Sequence, residues 1–169
     1  NIKSTVTSFY MMFHDAGVFN QPINWNISAV TTLTMANMFD GAHAFNQPLT
    51  FNTTNFNSMD RMFNFATAFN QNISDWNTNN VMTMAKMFKG ATAFNGNISN
   101  WNTTKVNSMY ATFYLASNFN QNLSNWNTGK VTSMNAMFYS ASAFNQNLSN
   151  WNTSAVTNMQ QMFYRAEDF

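Results

Sequence analysis

The chain has 169 residues, a length typical of one domain, with 17% aromatic but only 8% charged residues. A formal net charge of +1 and the absence of a basic stripe count against nucleic acid as a partner. The lack of cysteine excludes disulfides and thiolate metal sites. No apolar run approaches the length of a transmembrane helix.

A unit of 25 or 26 residues repeats along nearly the whole chain. It aligns on the aromatic residue that opens the "WNT" motif, and the copies of that residue are Trp25, Phe51, Trp76, Trp101, Trp126 and Trp151. Self-similarity at this period is typical of proteins whose repeats stack as successive coils. We therefore expect residues 1–169 to form a single repeat solenoid of about seven coils, the first beginning near Asn1 and the others at these aromatic residues. Because the sequence starts and stops within a unit, we interpret it as a fragment of a longer chain.

Apolar residues recur at fixed offsets in each unit. In the unit that begins at Trp126 they are Val131, Met134, Met137, Phe138, Ala141 and Phe144. These spacings match one face of a helix, α or partly 3₁₀, so we predict a short helix over 131–144 and at the equivalent place in every unit. The fixed offsets also count against the alternative of a disordered Asn-rich tract.

The stretch "NQNLSNWN" follows the predicted helix. Asn and Ser favour turns, and Leu148 and Trp151 lie three residues apart, so they cannot both face inward on one straight strand. We predict a short strand near 147–150, with Trp151 packed at the corner after it. One unit is too small to fold alone, and stacking in register would therefore stabilise each coil against the next.

Asn occupies two fixed columns of the repeat. One column follows the aromatic residue, at Asn26, Asn52, Asn77, Asn102, Asn127 and Asn152. The other follows the Phe, at Asn20, Asn46, Asn70, Asn95, Asn120 and Asn145. A side-chain amide both donates and accepts hydrogen bonds, so we expect these residues to bond to one another or to the turn backbone of adjacent coils.

The unit carried by "VTSMNAMF" and "ASAFNQNLSNWNT" resembles the repeat of BspA-type leucine-rich repeat surface proteins. The resemblance covers nearly the whole chain, with Ala where that family often has Cys. It implies an α/β repeat solenoid of the leucine-rich-repeat type, with a short helix and a short parallel strand in each coil. It also implies exposure outside the cell and a role in adhesion or partner binding, and it supplies no catalytic motif.

No catalytic or metal site is predicted. His14 and His43 stand at different offsets, and the few carboxylates are scattered, so neither histidine has clear metal partners. Glycine-rich phosphate loops and nucleophile elbows are also missing. We therefore expect no enzyme activity and no cofactor.

Positions that vary between units are better candidates, because the core does not dictate them. The residue directly after the Met-Phe pair forms such a variable column: it is His14, Asp40, Asn64, Lys89, Tyr114, Tyr139 and Tyr164 in successive units. Tyrosine is suited to interfaces, so the candidate partner surface consists of Tyr110, Tyr114, Leu115, Tyr139 and Tyr164. Alternatively, these tyrosines only cover their neighbours. A second candidate is the repeated Asn-x-Ser pattern on the predicted strand side, which could bind a sugar or a protein.

The preferred function is an extracellular or cell-surface module for adhesion or recognition of a protein or glycan. The alternative is a structural protein whose copies associate into a filament or shell. A third possibility is a scaffold beside an enzyme domain outside these residues.

Overall fold

The computed structural model describes residues 6, 8–25 and 33–169. Successive repeats stack in register as coils, and each coil is built mainly from turns. The elements of regular secondary structure in the described residues are strands β1 (Leu33–Thr34) and β2 (Phe56–Ser58), which pair in parallel. The expected start of the first coil near Asn1 and the column residue Asn26 lie outside the described residues.

The predicted α/β solenoid of the leucine-rich-repeat type is wrong, because the described residues contain no helix and almost no strand. Within residues 131–144, where we predicted a helix, residues 135–140 and 142–143 instead form turns, and Ser133 lies in a parallel bridge. Two residues within this segment, Ala136 and Ser140, have positive φ angles of 52°. A left-handed residue every four positions prevents a right-handed α-helix from continuing.

Hydrogen bonding in this segment alternates between neighbouring coils and the same coil. The amides of Met134, Ala136, Phe138 and Ser140 donate at 2.8–2.9 Å to the carbonyls of Asn158, Gln160, Met162 and Tyr164 in the next coil. The intervening amides of Met137, Tyr139 and Ala141 donate three residues back within their own coil. Every second amide is thus used for stacking, which an α-helix would not allow.

The predicted strand near 147–150 is also wrong. There, the Ser149 amide donates to the Asn147 side chain at 2.9 Å, and the Trp151 amide donates to the Leu148 carbonyl at 3.0 Å. These local bonds form turns that compete with a strand. Parallel pairing occurs before the first Met of each unit, through bridges at Ser8, Thr34, Ser58, Thr83, Ser108, Ser133 and Asn158.

The predicted core is confirmed. Met134, Met137, Phe138 and Phe144 are fully buried, as are their equivalents in the other inner coils. Phe138 and Phe144 stack at 3.9 Å within a coil, and each stacks on its counterpart in the preceding coil at 5.5–6.0 Å. The spacing that indicated a helix therefore identified the buried positions correctly, although not their backbone conformation.

The indole rings also lie in register. Trp76 and Trp101 stack at 6.3 Å, and Trp101 and Trp126 at 6.5 Å, with nearly parallel rings. Each indole N–H reaches back one coil, as when Trp126 donates to the Ile98 carbonyl at 3.0 Å. This bond satisfies the only polar atom of a buried side chain.

The side chains of the two Asn columns make different hydrogen bonds. After the Phe, each side-chain oxygen accepts the backbone amide of the equivalent Asn in the next coil; Asn145 donates to Asn120 in this way at 3.0 Å. After the aromatic residue, the side chain bonds within its own coil, as when Asn127 accepts the Gly129 amide at 3.0 Å. The first column links neighbouring coils, whereas the second holds a turn and in some coils also links to a neighbour, as when the Asn102 side chain donates to the Asn79 side chain at 2.8 Å.

Candidate functional site

Three tyrosines of the variable column, Tyr114, Tyr139 and Tyr164, form a stacked row on the surface, here called the tyrosine row. The rings of Tyr114 and Tyr139 are 4.4 Å apart, and those of Tyr139 and Tyr164 are 4.8 Å apart. These distances match the strand-like separation of coils joined by backbone hydrogen bonds. The row is therefore a direct consequence of placing Tyr at the same offset in three successive repeats.

Cations lie against the ends of the tyrosine row. The Lys89 ammonium is 5.0 Å from the centroid of Tyr114 and 5.3 Å from that of Phe65, so it lies near two rings. At the other end, the Arg165 guanidinium is 5.5 Å from the centroid of Tyr164. Both are within the range of cation–π attraction. The surface thus combines aromatic area with positive charge.

The remaining two candidates lie beside the row. Tyr110 is 38% exposed, and the Lys86 ammonium is 5.0 Å from its ring centroid. Leu115 directly follows Tyr114, is 37% exposed and has a positive φ of 59°. Its amide donates to the Tyr139 carbonyl at 2.7 Å. The structure therefore brings the predicted residues to one part of the surface.

Two titratable groups on this surface are perturbed. Burial, and then the neighbouring Tyr139, raises the pKa of Tyr114, and a hydrogen bond between these two side chains contributes in the same direction. Burial, and then the positive charge of Arg61, lowers the pKa of Lys86. The neutral forms of both side chains are therefore favoured relative to free amino acids.

At the other end of the variable column the side chains are polar. The Asn64 amide donates to the Asp40 carboxylate at 2.6 Å, and both residues are buried. The His14 Nδ1 atom lies 3.2 Å from the Asp40 carbonyl oxygen and 3.9 Å from its carboxylate. Sequence reasoning missed this cluster, although its three residues occupy one offset of successive units, which is the signal that identified the tyrosines.

Neither histidine joins a metal-type cluster. His43 Nδ1 lies 2.8 Å from the Phe65 carbonyl oxygen. In the part of the chain that the structure describes, no group of three His, Cys, Asp or Glu side chains is arranged to hold a metal ion.

The second candidate, the repeated Asn-x-Ser pattern, lies on turns and not on a strand. Asn72, Asn97 and Asn122 each accept the amide of the Ser two residues later, at 2.9–3.0 Å. Their side-chain oxygens are consequently occupied by the fold itself. A regular polar grid on a sheet, as the sequence suggested, is not present in the part of the chain that the structure describes.

Comparison with known proteins places the chain in a repeat family. The profile described as "Mycoplasma protein of unknown function, DUF285" matches residues 9–125 and again residues 96–169. No curated protein and no solved structure matches the chain. Among the described residues there is also no helix that could span a membrane. Since the two matches together cover nearly all of the sequence, the chain belongs to the DUF285 family of repeat proteins.

Proposed function

We propose that this chain is a non-enzymatic recognition module, exposed outside the cell, that binds a protein or glycan through the tyrosine row. One observation carries the proposal: three successive coils present a stacked aromatic side chain at an offset where earlier coils have His, Asp, Asn and Lys. The core does not require Tyr at this offset, since the backbone is bonded alike in both regions.

The chemistry of the row suits recognition. Tyrosine offers a broad apolar ring with a polar tip and loses little conformational entropy on binding. Tyr164 is 46% exposed at the end of the row, beside the Arg165 guanidinium. Stacking restrains the central rings before a partner arrives, which reduces the entropic cost of association.

Two parts of the proposal rest on the sequence. The resemblance of the repeat to BspA-type surface proteins supports the proposed extracellular location and recognition role. We do not extend this resemblance to the fold. The scarcity of ionisable side chains, with only 6 acidic residues and 2 histidines in the chain, supports the proposal of a non-enzymatic role.

The test is to replace Tyr114, Tyr139 and Tyr164 by Ser and to measure binding of the fluorescently labelled chain. Intact epithelial cells and a purified extracellular matrix would serve as the two binding surfaces, read by flow cytometry and by plate fluorescence. We expect the triple variant to lose at least about tenfold in affinity, because aromatic anchors dominate such interfaces.

The matched control is Tyr10→Ser, since Tyr10 is 56% exposed and lies outside the tyrosine row. This variant should bind like the original chain. Equal binding by the triple variant, with an unchanged circular dichroism spectrum, would reject the row as the partner surface. Light scattering over a range of protein concentrations adds a further check, since self-association lost only in the triple variant would favour assembly over recognition.

A further inference from the structure

The chain departs from the regular repeat at adjoining positions where the unit that begins at Trp25 meets the unit that begins at Phe51. The departing segment, from Phe45 to Phe51, is one residue shorter than the segment from Phe69 to Trp76, and it contains Pro48. Phe51 also stands where the other units have Trp. A smaller ring and a shorter turn remove volume at the same point of the stack.

A cavity of ≈ 300 Å³ lies at this point. Its apolar wall includes Leu49, Phe51 and Trp76, while Thr50 and Asp75 are among its polar lining residues. Its volume is at the lower end of the range for small-molecule sites.

The indole hydrogen bond at this point is longer than the equivalent bonds of the later coils. Trp76 Nε1 donates to the Leu49 carbonyl at 3.4 Å. The equivalent bonds from Trp101, Trp126 and Trp151 are 3.1, 3.0 and 2.9 Å long. The cavity therefore coincides with the place where the regular Trp packing is interrupted.

The polar residues that line the cavity supply both hydrogen-bond donors and hydrogen-bond acceptors. Asn72 lines the cavity, and its side-chain oxygen accepts the Ser74 amide at 3.0 Å, which leaves its NH₂ group as a donor. Asp75 is exposed and brings a carboxylate acceptor, where the later units have Asn100, Asn125 and Asn150. Thr50 adds a hydroxyl that can donate or accept.

We propose that this cavity binds a neutral sugar residue of about monosaccharide size. The hydroxyl groups of a sugar would donate to the Asp75 carboxylate and accept from the Asn72 amide, while its C–H groups would contact only the small exposed part of Phe51 and Trp76, which are 6% and 7% exposed. Hydrogen bonds to an ionised carboxylate are the stronger kind. A neutral polyol is the ligand class that uses all of these groups together.

Two other ligand classes fit less well. Among the described residues, no cationic side chain lines the cavity, so an anionic sugar would meet the Asp75 charge without compensation. An organic cation would need open ring faces for cation–π contact. Phe51 and Trp76 are only 6% and 7% exposed, so they provide an apolar wall with little open face.

The experiment uses saturation-transfer-difference NMR on the 169-residue chain with methyl glycosides of glucose, galactose, mannose and N-acetylglucosamine, and with choline and glucuronate as competing classes. We expect saturation transfer to at least one neutral glycoside and none to choline or glucuronate. Absence of transfer to every neutral glycoside, or transfer to choline or glucuronate alone, would overturn the proposal.

Two variants test whether the sugar binds in this cavity. Phe51→Trp restores the residue of the other units and fills the cavity, and Asp75→Asn restores the amide of the later coils. Each should weaken binding by at least about tenfold, since a filled cavity or a missing charged acceptor removes the contact. Unchanged binding in both variants would overturn the assignment.

The matched control is Asn100→Asp, which places a carboxylate at the same offset of a regular coil that carries Trp101. It should neither abolish nor add binding. No residue of the tyrosine row lines the cavity, so the triple Tyr variant should still bind the glycoside. An experiment that rejects the sugar site would therefore leave the proposed partner surface untouched, and the reverse also holds.

Discussion

The two ends of the variable column share a backbone and differ in chemistry. At the polar end, the Asp15 amide donates to the Asp40 carbonyl at 2.7 Å; at the aromatic end, the Leu115 amide donates to the Tyr139 carbonyl at the same distance. Yet Asp40 is buried against Asn64 and His14, whereas Tyr139 lies in a row that ends at an exposed Tyr164. The backbone hydrogen bonds between coils are thus the same whichever side chain occupies this offset.

The two ends derive their stability from different contacts. The polar end depends on hydrogen bonds between buried groups, which are costly to leave unpaired. The aromatic end depends on ring contacts that tolerate loss more easily. Substitutions in the two ends should therefore lower the free energy of unfolding by different amounts.

Replacing Asp40 by Ala should have the largest effect. It removes the acceptor of the Asn64 amide and leaves that buried donor unpaired, which should lower the free energy of unfolding by about 3 kcal/mol. Urea denaturation followed by circular dichroism measures the change. The exposed Asp168→Ala serves as control and should stay within about 0.5 kcal/mol of the original chain. A loss below about 1 kcal/mol for Asp40→Ala would show that the polar cluster is not stabilising.

The boundary between the two ends contains Gly90, next to Lys89. Gly90 has a φ of 68°, and an added Cβ would lie 2.4 Å from the Phe65 ring. We therefore expect Gly90→Ala to destabilise the chain by about 2 kcal/mol, as measured by the same denaturation experiment.

Gly129 provides the matched control for this substitution. It lacks a left-handed φ, and an added Cβ would meet its nearest neighbour, the Asn127 side chain, at 3.4 Å. Gly129→Ala should be neutral or slightly stabilising. Adding Phe65→Ala to Gly90→Ala should recover part of the lost free energy of unfolding, because the smaller side chain makes room for the new Cβ. Strictly additive effects of the two substitutions would contradict the predicted clash.

Within the tyrosine row, the middle ring should matter more than the end ring. Tyr139→Ser removes two stacking contacts and should cost about 1.5 kcal/mol, whereas Tyr164→Ser removes one and should cost less than about 1 kcal/mol. Thermal denaturation of both variants gives the ranking. Equal costs would mean that the rings contribute independently of their place in the stack.

The smallest effect should appear at alkaline pH. Burial, and then Tyr139, raises the pKa of Tyr114 in the folded chain, so folding favours its neutral form. The stabilisation is complete below about pH 10, the unfolded value, and is lost as pH rises through the folded pKa. Tyr114→Phe, which cannot ionise, should lose less stability over this interval. Phenolate absorbance and denaturation, measured as a function of pH, would be compared between the original chain and Tyr114→Phe. Identical stability profiles for the two would count against the raised pKa of Tyr114.

Buried positions were predictable because they obey the period of the repeat. Phe138 and Phe144 recur at fixed offsets, and a residue that must match its counterpart in the next coil leaves a visible column in the sequence. The tyrosine row was visible for the same reason. The cavity was not, because it results from small departures at Thr50, Phe51 and Asp75 that meet only when neighbouring coils stack.

The repeat length, the in-register stacking and the identity of the core side chains could all be predicted from the amino-acid sequence. The backbone conformation of each coil could not, because helices and consecutive turns both return to the same face after about three residues. The choice depends on where alternate amides bond. In this chain they donate to the next coil, and residues such as Ala136 and Ser140 adopt positive φ to allow it. Hydrogen bonds between coils produce no pattern within the sequence of a single unit, so they could not be predicted from it.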